Sequence, residues 1–393
     1  MAPERRGAPL QDAHGARAGD PEIGAVLVQK LECARCHDGD GLAKPPLDRN
    51  CVDCHKSILA GTFPAPADAL ARWQKNIVTL REVPSLTATW RFRRDAIARF
   101  LVEPHDLRPR LGATMPRLPI SPAQARDIVA YVVGDREEDG EDDRSALAGA
   151  DAAHGRQLVD KKGCGTCHVF TGASPALAAS PVPVPLSGDE LARGIAMAPD
   201  LRHARERLRP TALVRWLESP HDMKPDTPMP SIPLFGREAK DIAAYLVTTP
   251  LADAPAIASP ARLPVLERVV SFDEVNARVF RTTCWHCHSS KDYGLGDGGP
   301  GNTGGFGFEP RRLSFVSYET IAAGMLDVHR ERQSVFRADA DGVPILVRAL
   351  LARHDEIGGR PSPDARGMPL GLPPLSPADI QLVDTWIAQG HGR

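Results

Sequence analysis

The chain has 393 residues, with 48 Lys and Arg against 50 Asp and Glu and a formal net charge of −2. That length holds roughly two to four domains, and so even a charge balance offers no field for nucleic acid or an anionic membrane surface. Aromatic residues make up only 5%, while Pro (37) and Gly (34) are plentiful, so the cores call for another space-filling group or a staple.

In chain order, residues 1–21 form an N-terminal extension that contains His14. Cys33-Ala34-Arg35-Cys36-His37 follows, the first of four Cys-x-x-Cys-His pentads. The others are Cys51-Val52-Asp53-Cys54-His55, Cys164-Gly165-Thr166-Cys167-His168 and Cys284-Trp285-His286-Cys287-His288, and together they use all eight cysteines. Two thiols three residues apart on one helical turn reach the two vinyl groups of a porphyrin as thioethers. The histidine after the second thiol then lies under the ring and ligates the iron, so each pentad reads as an attachment site for haem c. Four covalently bound haem c groups are expected.

Other readings of the cysteines explain less. Neither a disulfide framework nor a redox-active Cys-x-x-Cys requires the histidine. Zinc sites do pair two Cys-x-x-Cys units, and Cys33 to Cys54 could be read so, but the pentads at 164 and 284 are then left without partners. His286, inside the fourth pentad, is expected to face away from its own iron, toward solvent or a neighbour.

Two compositional breaks divide the chain: the acidic run Asp135–Asp143 and the Ala/Pro stretch Thr248–Pro264, both read as solvated linkers. The units on either side of the acidic run are copies. Val83-Pro84-Ser85-Leu86 matches Ala198-Pro199-Asp200-Leu201, and Arg99 to Asp106 matches Arg215 to Asp222. Met115-Pro116 matches Met229-Pro230, and each unit closes on a segment with apolar residues at helical spacing, ending at Val132 or Leu246. The third unit ends likewise, in Met368-Pro369 followed by Ile380, Val383, Trp386 and Ile387. Ser121-Pro122 with Gln124, and Ser376-Pro377 with Asp379, predict capped helix starts. The interval from His37 to Met115 is longer than that from His168 to Met229, by nearly the span from His37 to His55. The extra length falls where Cys51 to His55 sits. The first unit therefore reads as a one-haem domain with a haem-bearing insertion at about 38–60.

A Cys-x-x-Cys-His near the start, a Met-Pro far downstream and a closing helix together resemble class I cytochrome c domains. The last unit is similar to the cytochrome c domains of planctomycete-type proteins, through Pro344 to Leu350, Met368-Pro369 and Trp386 to Gly390. The resemblance implies an all-α fold of three tandem helical domains with long loops. A dihaem domain at 22–135 would be followed by an acidic linker at 136–150, a monohaem domain at 151–249, an Ala/Pro linker at 250–264 and a monohaem domain at 265–393. It also implies axial pairs His37/Met115, His168/Met229 and His288/Met368. A soft thioether opposite histidine is the electron-transfer arrangement. Met325, in the apolar segment Ile321–Val328 read as helical, is the rival of Met368 but suits core packing better.

The second haem, on His55, has no methionine of its own, because none lies between His55 and Met115. His14 is the first candidate for its sixth ligand and His105 the next. A residue from another unit (His154 or His203 across an interface) or an open position remains. His105 has a twin in His221, which suggests a shared structural role. The Gly-rich stretch Gly294–Gly307 has no Lys-Ser/Thr for a phosphate loop and reads as a loop over a haem edge, with Asp292 and Asp297 as a weak metal site.

The expected function is electron relay between redox proteins, by a subunit without catalytic activity of its own, docked on a membrane-bound quinol-oxidising complex or a dehydrogenase. The expected location is the periplasm or the outer face of the cytoplasmic membrane, where haem is attached to such pentads, although the first residues lack an apolar signal region. No apolar run approaches the roughly 18 to 20 residues that cross a bilayer. The alternative is a multihaem reductase or peroxidase with the second haem as its active site.

Overall fold

The computed structural model describes residues 19–39, 41–77, 79–111, 115–134, 144–254, 257–289, 311–327 and 329–392. Helix dominates: 47% of residues against 2% strand, in line with an all-α class.

Both repeated units are built on a crossing of their first and last helices. Pro21–Lys30 is capped by Asp20, whose carboxylate accepts the amides of Glu22 (2.9 Å) and Ile23 (3.2 Å). It packs on Pro122–Val133, which opens with the capping box of Ser121 and Gln124. Gly24 is required at the crossing, because a methyl there would run into the Asp127 carbonyl. The Asp20 amide adds a 2.8 Å bond to the Asp127 carboxylate. The second repeat rebuilds each contact. Asp151 caps Ala152–Lys161, Gly155 lies under the Asp241 carbonyl, and the Asp151 amide donates to the Asp241 carboxylate at 2.7 Å. The offset between counterparts is larger on the first helix than on the last. The difference equals the extra length read between the first pentad and Met115.

Apolar side chains gather into four clusters. The first joins Leu27, Val28, Leu101, Ile128 and Val129, and the second joins Leu158, Val159, Leu213, Ile242 and Leu246. The third spans residues 270–387 around Phe280, Val347 and Trp386. Here the closing helix Pro377–Ala388, capped by Ser376 on the Asp379 amide (3.1 Å), meets Phe272–Val275 and the segment that continues it. The fourth cluster belongs to the inserted region around the second pentad. It packs Cys54, Ile58, Phe63, Leu70, Trp73 and Ile77 between the helices Cys51–Leu59 and Ala67–Asn76. Fully burying a side chain of this size is worth about 1.5–3 kcal/mol, so the region has a small core of its own and runs well past residue 60. The extra length understates it, being a difference between two loops: the second repeat fills the same stretch with its own helix, Gly188–Met197.

Three further expectations meet the structure differently. Met325 is not helical: the helix Tyr318–Ala322 ends first, and Met325–Leu326 pairs antiparallel with Arg332–Gln333 in register Met325↔Gln333. Val328 lies outside the described residues. Beyond Thr248, which ends the helix Glu238–Thr248, the Ala/Pro stretch forms no helix or strand where it is described, yet it is not simply solvated. Arg262 binds the buried Asp384 carboxylate in a fork at 2.6 and 2.9 Å, and the Leu266 amide donates to Thr385 just beyond. The acidic run 135–143, the Gly-rich stretch with Asp292 and Asp297, and His14 all lie outside the described residues.

Candidate haem sites

Each pentad sits where the chain turns out of, or into, a helix. Residues Cys33–Arg35 form one 3-10 turn and Cys164–Cys167 one α turn. Both follow a residue in the left-handed region, Glu32 (φ 53°) and its counterpart Gly163 (φ 71°). Glycine takes that conformation without cost. Glu32 is held in it by Arg35 (3.0 Å) and Arg49 (2.5 Å). The second pentad instead opens the helix Cys51–Leu59, whose Asn50 cap accepts the Asp53 amide at 2.9 Å. The fourth follows Asn276–Cys284, which is wound as a π-helix with Trp285 N donating to Phe280 O at 2.8 Å. Such winding gathers at functional positions, and nothing in the sequence pattern announces it.

The four pentad histidines share one arrangement. His37 Nδ1 lies 2.8 Å from Pro84 O, His168 Nδ1 2.8 Å from Pro199 O, His55 Nδ1 3.1 Å from Thr79 O, and His288 Nδ1 3.1 Å from Leu313 O. A carbonyl can only accept, so Nδ1 must carry the proton and Nε2 is left with its lone pair for a metal. Burial also pushes all four imidazoles below the usual histidine range, which favours the neutral form that a ligand requires. Pro84 and Pro199 belong to the repeated four-residue anchor, so its repetition now has a physical reason.

Burial pushes the Cys33 and Cys164 thiols up to about 11 and those of Cys284 and Cys287 up to about 12. Cys36 is raised too, through its hydrogen bond to Cys51 and then burial. A disulfide oxidoreductase depends on the opposite shift. Among the described residues no group of three or more His, Cys, Asp or Glu side chains is arranged to hold a metal ion by itself, so the zinc reading finds no support. Haem, which brings four nitrogens of its own, needs only the axial ligands.

The methionines follow the clusters. Met115 packs on the core that holds Cys33, Met229 on that of Cys164, and Met368 on that of Cys284. Trp216 donates its indole N–H to the Met229 sulfur at 2.9 Å; its counterpart in the first repeat, Phe100, cannot donate. Met325 shares the core of Met368. The small core around Cys54 has no methionine among its members. Facing His55 is instead the ring of His286, with centroids 6.0 Å apart and planes tilted by 41°. Burial, with His55 beside it, pushes His286 down to about 4.

The other histidine candidates are engaged elsewhere. His105 packs between Phe100 and His203, whose ring centroid is 4.7 Å away. His154 pairs through Nδ1 with Asp241 at 2.9 Å. His221 bonds Ser231 at 3.1 Å, so the supposed twins His105 and His221 do different things.

A cavity of about 350 Å³ runs between the first two repeats and is lined by His37, Cys36, His168, Cys167 and Met229. Arg91, Arg108 and Arg207 face into it. Burial pulls Arg91 and Arg108 down to about 10 and Arg207 to about 9, and the three guanidiniums repel one another. Among the described residues none of the three forms an ion pair. Buried cations call for anions, and a haem carries two propionate carboxylates. The residues present therefore fit the group: thiols and Nε2 lone pairs on the walls, apolar core behind, and guanidiniums without an ion pair among the lining.

A protein-family model described as Cytochrome c matches residues 152–250, the stretch that contains Cys164, His168 and Met229. No curated protein and no solved structure matches the chain. The match supports a c-type cytochrome with covalently bound haem c and haem-based electron transfer to redox partners. No described helix is long and apolar enough to cross a membrane.

Proposed function

We propose that the chain is a tetrahaem c-type cytochrome that relays electrons between other redox proteins. On this reading it docks on a membrane-bound quinol-oxidising complex or a dehydrogenase, at the periplasmic face of the cytoplasmic membrane. One observation carries the proposal: all four pentad histidines, not only the one inside the family match, have Nδ1 on a backbone carbonyl and Nε2 left over.

Cys33 and Cys36, Cys51 and Cys54, Cys164 and Cys167, and Cys284 and Cys287 would bind the four porphyrins, with His37, His55, His168 and His288 as proximal ligands. Met115, Met229 and Met368 would complete three of the sites. A haem iron held by histidine and methionine supplies reversible one-electron transfer at raised potential. The chain's own part is to fix each imidazole on its carbonyl, keep it neutral, and exclude water with the four cores. The buried arginines would hold carboxylates at the first and third pentads.

The succession of the sites supports a relay. His168 and His37 line one cavity, Cys36 bonds Cys51, and Cys51 and His55 lie against Cys287 and His286. The order is thus His168, His37, His55, His288, which differs from chain order. The test is the intact mass of denatured protein from a host that matures c-type cytochromes. The expected mass is the polypeptide plus four haems; a persistent three-haem mass sinks the count.

A further inference from the structure

We infer that His286, carried by the fourth pentad, is the sixth ligand of the iron on His55. The inference rests on the tetrahaem reading and assigns the one axial position that the methionines leave open.

Geometry separates a shared metal from a simple ring contact. With a metal–nitrogen bond of about 2.0 Å and a ring radius of about 1.1 Å, two imidazoles on opposite sides of one metal have centroids about 6.2 Å apart. His55 and His286 stand at 6.0 Å. The other histidine pair, His105 and His203, is at 4.7 Å, too close to admit a metal between the rings. The tilt between the planes is no obstacle, because two rings on opposite sides of one metal can stand at any angle to each other about the shared axis.

Three further observations agree. Thr79 O holds His55 by Nδ1, so its Nε2 is the atom left to ligate. Among the described residues no hydrogen bond engages the His286 ring, although the backbone on either side is tied into the turn through the Trp285 and His288 amides. The core around Cys54 supplies no methionine as a rival. His286 therefore acts in two units at once. Its backbone belongs to the turn that anchors the fourth haem, and its imidazole closes the second site from across the interface. A single peptide link, His286 to Cys287, then joins the two sites.

The test is spectroscopic and uses the full holoprotein. The oxidised wild type should give near-infrared charge-transfer bands for three His/Met centres and one bis-histidine centre, all low-spin. In His286→Ala one quarter of the haem should turn high-spin while the three sulfur-to-iron bands stay unchanged, and added imidazole should restore the low-spin form. His286→Met should keep all four centres low-spin and raise the sulfur-to-iron intensity by a third. A wild type without a bis-histidine band, or a His286→Ala spectrum equal to the wild type, would overturn the assignment. Intact mass reports separately on the reading beneath it: four haems with an unmoved spectrum removes His286 alone, whereas fewer than four in the wild type removes the tetrahaem count.

Discussion

The sites at His37 and His55 share the first unit, yet their surroundings differ. His37 is served within its own repeat, by Pro84 O behind it and Met115 on the same core. His55 has a core of its own and a carbonyl at Thr79, but the group that faces it comes from the fourth pentad, in the third unit. A site built from its own repeat can be copied with that repeat, and the second repeat does copy it, in His168, Pro199 and Met229. A site closed across units would exist only in the assembled chain.

Making the two sites alike is the most severe test of this contrast. Met115→His should lower one midpoint by on the order of 0.2 V, a modest part of the roughly 0.8 V that axial ligands cover. It should also remove about a third of the sulfur-to-iron band. A redox titration that begins with three high components and one low one should then show two of each. An unmoved titration would mean that Met115 is not a ligand.

A slightly smaller effect should separate the two cores. Trp73 is 1% exposed and meets Phe63 edge to face at 6.1 Å. Trp73→Ala should cost about 3–5 kcal/mol. Denaturant titration followed by haem absorbance should show the low-potential centre lost first while the Met-ligated centres persist. Simultaneous loss of all four would show that the inserted region is no separate core.

Charge should sharpen the same division. Arg207 lines the cavity of His37 and His168. Removing its positive charge in Arg207→Gln favours the oxidised iron. Two of the high midpoints should fall by on the order of 50 mV, the size of a partly screened charge interaction, and the low component should stay. A shift of all four alike would place the charge elsewhere.

The smallest effect concerns the helix crossing of the second repeat. Burial alone would raise Asp241, but the Asp151 amide, His154 and Arg237 together hold it below the usual carboxylate range. A depressed carboxylate contributes stability that is present above its unfolded value and is lost as pH falls through the folded one. The thermal stability of this unit should thus fall below about pH 4. Asp241→Asn should cost about 1 kcal/mol at neutral pH and flatten that acid dependence.

What the sequence made legible was local or repeated. The pentads, the Met-Pro pairs and the capped closing helices are each short, contiguous signals, and Ser121 with Gln124 forms the box that its spacing predicts. Gly24 and Gly155 stand at the same offset as Cys33 and Cys164, so that offset could have revealed the crossing they permit. Thr79 and Leu313 offered no signal, because any residue can present a carbonyl. The extent of the inserted region is hidden in the repeat lengths because the second repeat fills the same gap with its own helix, Gly188–Met197. The pattern of its own turn sends His286 toward solvent or a neighbour without saying which. Its partner is set by packing between distant units, which no local spacing encodes.

The contact between the two repeats holds one further consequence. Phe92 and Leu208 form an antiparallel bridge, and they occupy the same position in the two copies, at the offset that relates Arg99 to Arg215. Arg91 and Arg207, also counterparts, stack on the Phe92 ring at 4.3 and 4.5 Å. Like meeting like across an antiparallel pair is the signature of a two-fold axis, the isologous geometry of a homodimer. The first two units therefore make a pseudo-symmetric dimer written into one chain, with the axis passing beside Phe92. Fusion frees the halves to diverge: one copy has taken up the inserted region with the second pentad and, through His55, a ring contact with the third unit, which a symmetric pair could do only on both sides at once.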